Sequence, residues 1–161
     1  MWVMKHFAAA VIAASISLSA GAATADDRHA GYYYPVPQST EVYKARAITL
    51  PDSGRRQRLA FVTGFALKQV DLPYPPNLAM FAKGEDAEKL IIVALDDGRM
   101  NTLYRARAVL AMLTARARVL PIFQEHRVEE ILTFLDFCKM LGFEQVTVSD
   151  GKDFAHQIHI E

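Results

Sequence analysis

The chain holds one cysteine, Cys138, in 161 residues. A lone thiol cannot close an internal bridge, so no disulfide holds this fold, even in an oxidising compartment. Net charge is absent too, with 18 Lys and Arg against 18 Asp and Glu. That balance excludes the broad basic surface that gathers nucleic acid or anionic lipid. Beyond residue 25 no apolar run approaches the roughly 20 residues that cross a bilayer. The sequence also lacks a G-x-x-x-x-G-K-[ST] or G-x-G-x-x-G phosphate loop, an H-E-x-x-H pair and a G-x-S-x-G elbow. These absences remove the commonest local signatures of nucleotide binding, zinc peptidases and serine hydrolases. Charged residues make up 22% and hydrophobic ones 52%, a composition that packs a core rather than staying disordered.

What is present begins at the N-terminus. Met1, Trp2, Met4, Lys5 and His6 form a short basic start. Phe7 to Leu18 is apolar apart from Ser15 and Ser17, and Ala23-Thr24-Ala25 precedes Asp26-Asp27. A basic n-region, an apolar h-region and an A-x-A site in that order predict a cleavable signal peptide over residues 1–25. The expected product is a periplasmic or secreted protein that begins near Asp26 and stays near neutrality, since only Lys5 is lost. Free nucleotide is scarce there, which argues against ATP- or GTP-dependent chemistry. Residues 26–40 read as an extended lead-in, because Tyr32-Tyr33-Tyr34-Pro35-Val36-Pro37 favours an extended or polyproline path. Its tyrosines are expected to lie across the domain and cover its core. Residues 41–161 then form one domain of ordinary size.

Within that domain, Glu41–Leu50 alternates as a strand and Pro51-Asp52-Ser53-Gly54 turns into a helix. Residues 58–70 satisfy two periods. Leu59, Val62, Phe65, Ala66 and Val70 make a helical stripe, while Leu59, Phe61, Phe65 and Leu67 make a strand face. The length of the run, and its stop before Pro73-Tyr74-Pro75-Pro76, favour the helix. Asn77–Lys83 and Lys89–Leu95 read as a hairpin across Gly84–Glu88. The unbroken Leu90-Ile91-Ile92-Val93-Ala94-Leu95 predicts a central strand buried on both faces. Thr102 caps a helix to Arg118 with Leu103, Ala106, Val109, Leu110, Leu113 and Ala117 on one face. Tyr104, Ala108, Ala111 and Ala115 form the opposite face, which is expected to meet another helix or a second subunit as a homodimer. Val119–Gln124 reads as a short edge strand because of Pro121.

Arg127–Leu141 reads as one amphipathic helix. Cys138 lies within its apolar arc, and Glu129, Thr133, Asp136 and Met140 lie opposite. Gly142 closes it. Gln145–Ser149 and Phe154–Ile160 are the last strands, joined by an Asp150-Gly151 turn. The order predicts an α/β fold, a small single-domain layer structure with a mixed sheet and two or three amphipathic helices.

The candidate ligand-binding residues are Asp96, Asp97, Arg99, Asn101 and Thr102. They lie between the C-terminal end of a buried strand and a helix start, where α/β sheets bind ligands. Free N–H groups there attract anions and Arg99 would assist, whereas two adjacent carboxylates alone supply too few oxygens for a divalent cation. The bland alternative is a solvated turn with a helix cap. His156 and His159 stand three apart in a strand and so face opposite ways, leaving only a weak terminal metal set with Asp153 and Glu161. Arg55, Arg56 and Arg58 read as a solvated face rather than an acidic-partner contact. No catalytic residue, metal site or cofactor is assigned.

Residues 73–118, PYPPNLAMFAKGEDAEKLIIVALDDGRMNTLYRARAVLAMLTARAR, and the later ILTFLDFCKMLGFEQVTVSDG resemble a group of small exported proteobacterial proteins of unknown role. Members of that group often carry the label molybdopterin-guanine dinucleotide biosynthesis protein A. The label implies a guanylyltransferase that binds GTP and Mg²⁺. Enzymes of that kind begin with a glycine-rich L-A-G-G-x-S-x-R-M-G segment, which this chain lacks, so the resemblance carries over no catalytic residue. The expected function is therefore a periplasmic, non-enzymatic domain that binds a protein or small-molecule partner. The alternatives are the guanylyltransferase and an anion or metal binder at the 96–102 turn.

Overall fold

The computed structural model describes residues 35–96, 98 and 100–161. Residues 1–25, expected to be a signal peptide, and the tyrosines of the expected lead-in lie outside the described residues. The elements are β1 (Ser39–Tyr43), α1 (Arg55–Val70), β2 (Leu78–Lys83), β3 (Lys89–Ala94), α2 (Leu103–Ala117), α3 (Pro121–Glu125), α4 (Phe134–Met140), β4 (Gln145–Ser149) and β5 (Ala155–Ile160). They form the expected small α/β domain, with one five-stranded mixed sheet in the order β1-β5-β4-β3-β2. β2/β3 and β4/β5 are antiparallel hairpins, while β3/β4 and β1/β5 run parallel. Each parallel pair needs a long connection, supplied between β3 and β4 by α2, α3 and α4.

Register sorts the side chains. Leu78 and Met80 stand beside Ala94 and Ile92, which continue through Val146 and Val148 to Ile158. This face joins α2 and α4 in one core, with Ala106, Val109, Leu113, Leu135 and Cys138. Phe61 of α1 packs edge-on against Phe137 and Phe143 at centroid distances of 5.4 and 6.2 Å. Leu90, Ile91 and Ile92 are all buried, as expected of an apolar run with both faces covered. β3 is an interior strand, but β4 holds the middle position.

Several sequence expectations are corrected. The strand expected at 41–50 stops at Tyr43, because the next backbone groups bond elsewhere: Arg46 N donates to the Asp136 carboxylate at 2.7 Å and Leu50 N to Met140 O at 3.0 Å. Residues 58–70 are helical, within α1. Residues 119–124 form no edge strand. Pro121 instead opens α3 at a position where its missing N–H is harmless. The helix expected from Arg127 begins only at Phe134. Arg127 has φ 52°, and Thr133 and Asp136 close a reciprocal capping box that starts a new helix. Within α4, Asp136 and Met140 are buried rather than solvent-facing.

Cys138 is fully buried, and burial pushes its thiol well above the usual range, as its place in the apolar arc implied. Gly142 ends α4 at φ 80°, with Gly142 N bonded to Lys139 O and Phe143 N to Cys138 O, the paired bonds of a Schellman turn.

Candidate functional site

The turn after β3 is tied up by its own helix. Thr102 is the N-cap of α2, and its hydroxyl accepts from Arg105 N at 3.3 Å. The Arg105 guanidinium folds back to donate to Asn101 Oδ1 at 3.0 Å and to Gly98 O. Asn101 and Thr102 are thus brought together as cap and clasp, and Asp96 is exposed beside them. Asp97 and Arg99 lie outside the described residues. At the other candidate, His156 is buried and His159 exposed on the opposite sheet face. Among the described residues, no group of three or more His, Cys, Asp or Glu is placed to hold a metal ion.

His156 belongs instead to a polar clasp between the two parallel strands β1 and β5. Its Nδ1 lies 2.8 Å from Ser39 Oγ and its Nε2 3.2 Å from Glu41 Oε1. The second contact is close but misaligned, so Nε2 forms no hydrogen bond. Nδ1 also lies 3.2 Å from Ser39 O, so this nitrogen reaches both the hydroxyl and the carbonyl of one residue while Nε2 faces the carboxylate. Glu41 also accepts from Arg107 of α2 at 2.8 Å. Burial would raise the Glu41 carboxyl, but the Arg107 hydrogen bond and the nearby Arg107 and His156 side chains hold it below the usual range. Ser, His and Glu in line resemble a nucleophile with its base. Neither Ser39 nor His156 lines either of the two cavities described below, so neither cavity presents a substrate to this serine.

Two cavities stand out among the described residues. One, about 460 Å³, is polar and surrounds Arg58 with Glu85, Asp86, Glu88 and Glu144. Arg58 is committed inside the protein, donating to Asp86 O at 3.0 and 2.8 Å and to Leu141 O and Gly142 O at 3.1 Å each. This corrects the expectation of a solvated Arg55–Arg58 face: Arg55 and Arg56 are exposed, but Arg58 is buried.

The other cavity is an apolar groove of about 590 Å³ between α1 and the end of α2. Phe61, Phe65, Met80, Leu113, Phe134 and Phe137 line it, and Leu72 and Tyr74 stand exposed among its walls. Ligand pockets run to about 300–1,000 Å³, are mostly apolar and carry a few polar groups that orient the ligand. Here those groups are Lys68, Gln69 and Arg116. Sequence reading put Phe65 on the helical stripe and Phe61 only on the alternative strand face, and it missed the groove, because its walls come from segments far apart in the chain. The one local signal is Gly64, a glycine inside a good helical pattern.

The chain matches no protein-family model, no curated protein and no solved structure.

Proposed function

We propose that this chain is an exported, non-enzymatic binding domain whose ligand site is the groove between α1 and α2. The observation that carries the reading is an open apolar groove of about 590 Å³ left unfilled by the side chains of the described residues. Burying that surface in a ligand is favourable by about 25 cal/mol per Å² of apolar area. The signal pattern of residues 1–25 supports delivery to the periplasm. Two measurements test the reading. Fractionation and intact-mass analysis of the untagged chain should find a periplasmic product that starts near Asp26; an uncleaved cytosolic chain would refute export. Calorimetry with GTP and Mg²⁺ should show no heat; a saturable signal would instead favour the guanylyltransferase implied by the resemblance.

A homodimer through α2 is the second partner reading. Its support is that Tyr104, Ala108, Ala111 and Ala115 are exposed, with Tyr104 at 84%. Ala111→Glu places a charge in the middle of that face. The expected result is a dimer mass for the parent protein and a monomer mass for the variant by light scattering. A monomer mass for both discards the dimer.

A further inference from the structure

The groove's shape and charge indicate what it holds. Gly64 sits mid-helix in α1 and lines the groove, and a Cβ built there meets nothing within 4 Å. Glycine in a helix interior is less favourable than alanine by about 0.8–1.0 kcal/mol. Packing among the described residues does not require it, because they leave the space beside it empty. A bare backbone at that point allows close approach by something else.

Charge specifies the rest. Among the described residues no acidic side chain lines the groove, and its cations are Lys68 and Arg116. Lys68 lies about two turns along α1 from Phe61, so one end of the groove is aromatic and the other basic. Both cations occupy the last turn of their helices, where each helix end carries about half a unit of negative charge. Two full positive charges exceed those two halves, so the mouth stays positive. Among the described residues, neither cation has an ion-pair partner.

We infer that the groove binds an amphiphilic monoanion, an alkyl-chain carboxylate whose tail lies along Gly64 and the phenylalanines and whose head pairs with Lys68 and Arg116. This rests on the groove being the ligand site, and the test separates the two ideas.

The probes are dodecanoate and dodecanol, titrated by calorimetry below their aggregation limits into the mature chain. The parent protein is compared with Gly64→Phe and with the double variant Lys68→Met/Arg116→Met. Gly64→Phe fills open space on a helix surface and should leave the circular dichroism unchanged. The expected result is dodecanoate binding at least tenfold tighter than dodecanol. That preference should vanish in the double variant, and Gly64→Phe should lose both ligands at least tenfold. Equal affinity for acid and alcohol in the parent would overturn the anionic head while leaving the groove as the site. Absent binding of both would overturn an alkyl-chain ligand, as when the groove receives a protein segment instead, and full binding by folded Gly64→Phe would overturn the groove as the site. Should Gly64→Phe fail to fold, Gly64→Leu replaces it with the same expectations.

Discussion

Asp136→Asn should lower the unfolding free energy by about 2–4 kcal/mol, with an unchanged m-value in urea. Asp136 is fully buried in α4, yet among the described residues its carboxylate has no cationic partner in hydrogen-bond contact. Its charge is stabilised by donors alone. Oδ1 accepts from Arg46 N at 2.7 Å. Oδ2 accepts from Thr133 N at 2.7 Å, from Thr133 Oγ1 at 2.9 Å and from Tyr43 OH at 2.9 Å. An amide is no substitute, because it presents an N–H on one side. If that side replaces Oδ1, two donors meet at Arg46; if it replaces Oδ2, they meet at Thr133. Either way a buried donor loses its acceptor. The lost contacts also join distant segments, since Tyr43 ends β1, Arg46 lies three residues beyond it and Thr133 caps α4.

The pH dependence has a definite sign. Burial alone would raise the Asp136 carboxyl, but backbone N–H groups of Arg46 and Thr133, with the Thr133 and Tyr43 hydroxyls, hold it below its ordinary value. A carboxyl lower in the folded than in the unfolded chain adds stability that is complete above the unfolded value, about 3.9, and fades as pH falls through the folded one. The gap between parent and Asp136→Asn should therefore be widest near neutrality and shrink below about pH 4. A gap constant down to pH 2 would mean that the carboxylate's charge contributes nothing.

Asp136 and Arg58 show where sequence reading stops. Periodicity located β3, the face of α2 and the burial of Cys138, because those depend on neighbours within one element. The same periodicity placed Asp136 on the solvent side, since its partners Tyr43 and Arg46 lie about ninety residues away. One local signal was there: Thr133-x-x-Asp136 is a capping-box spacing, and it marks the break that the long 127–141 helix ignored. Pro121 was ambiguous for a different reason, because an edge strand and a first helical position both tolerate a missing N–H. Of the candidate turn, the cap role of Thr102 was legible from its place before the apolar stripe. The fold-back of Arg105 onto Asn101 was not, because a guanidinium at that spacing fits equally well in solvent.

Arg58→Met should cost about 2–4 kcal/mol, nearly as much as losing the Asp136 charge. The Arg58 fork joins the β2–β3 loop, through Asp86 O, to the C-terminal carbonyls of α4, through Leu141 O and Gly142 O. Helix ends leave carbonyls without intrahelical partners, and here a side chain from α1 satisfies them. Methionine keeps much of the apolar stem but removes every donor. Lysine brings a single ammonium in place of a planar fork and should recover less than half the loss, because it cannot span both sides at once.

Gly142→Ala tests the same clasp from the other side. At φ 80° an alanine is strained, and its Cβ would lie 2.5 Å from Arg58 Nη1. The alanine penalty in the parent protein thus combines backbone strain with displacement of the guanidinium. In the Arg58→Met background only the strain remains. A double-mutant cycle should show the Gly142→Ala penalty smaller by at least about 0.5 kcal/mol when Arg58 is absent. Additive penalties would mean that the arginine does not hold the end of α4, and that the stability lost in Arg58→Met comes from the hairpin contact with Asp86 alone.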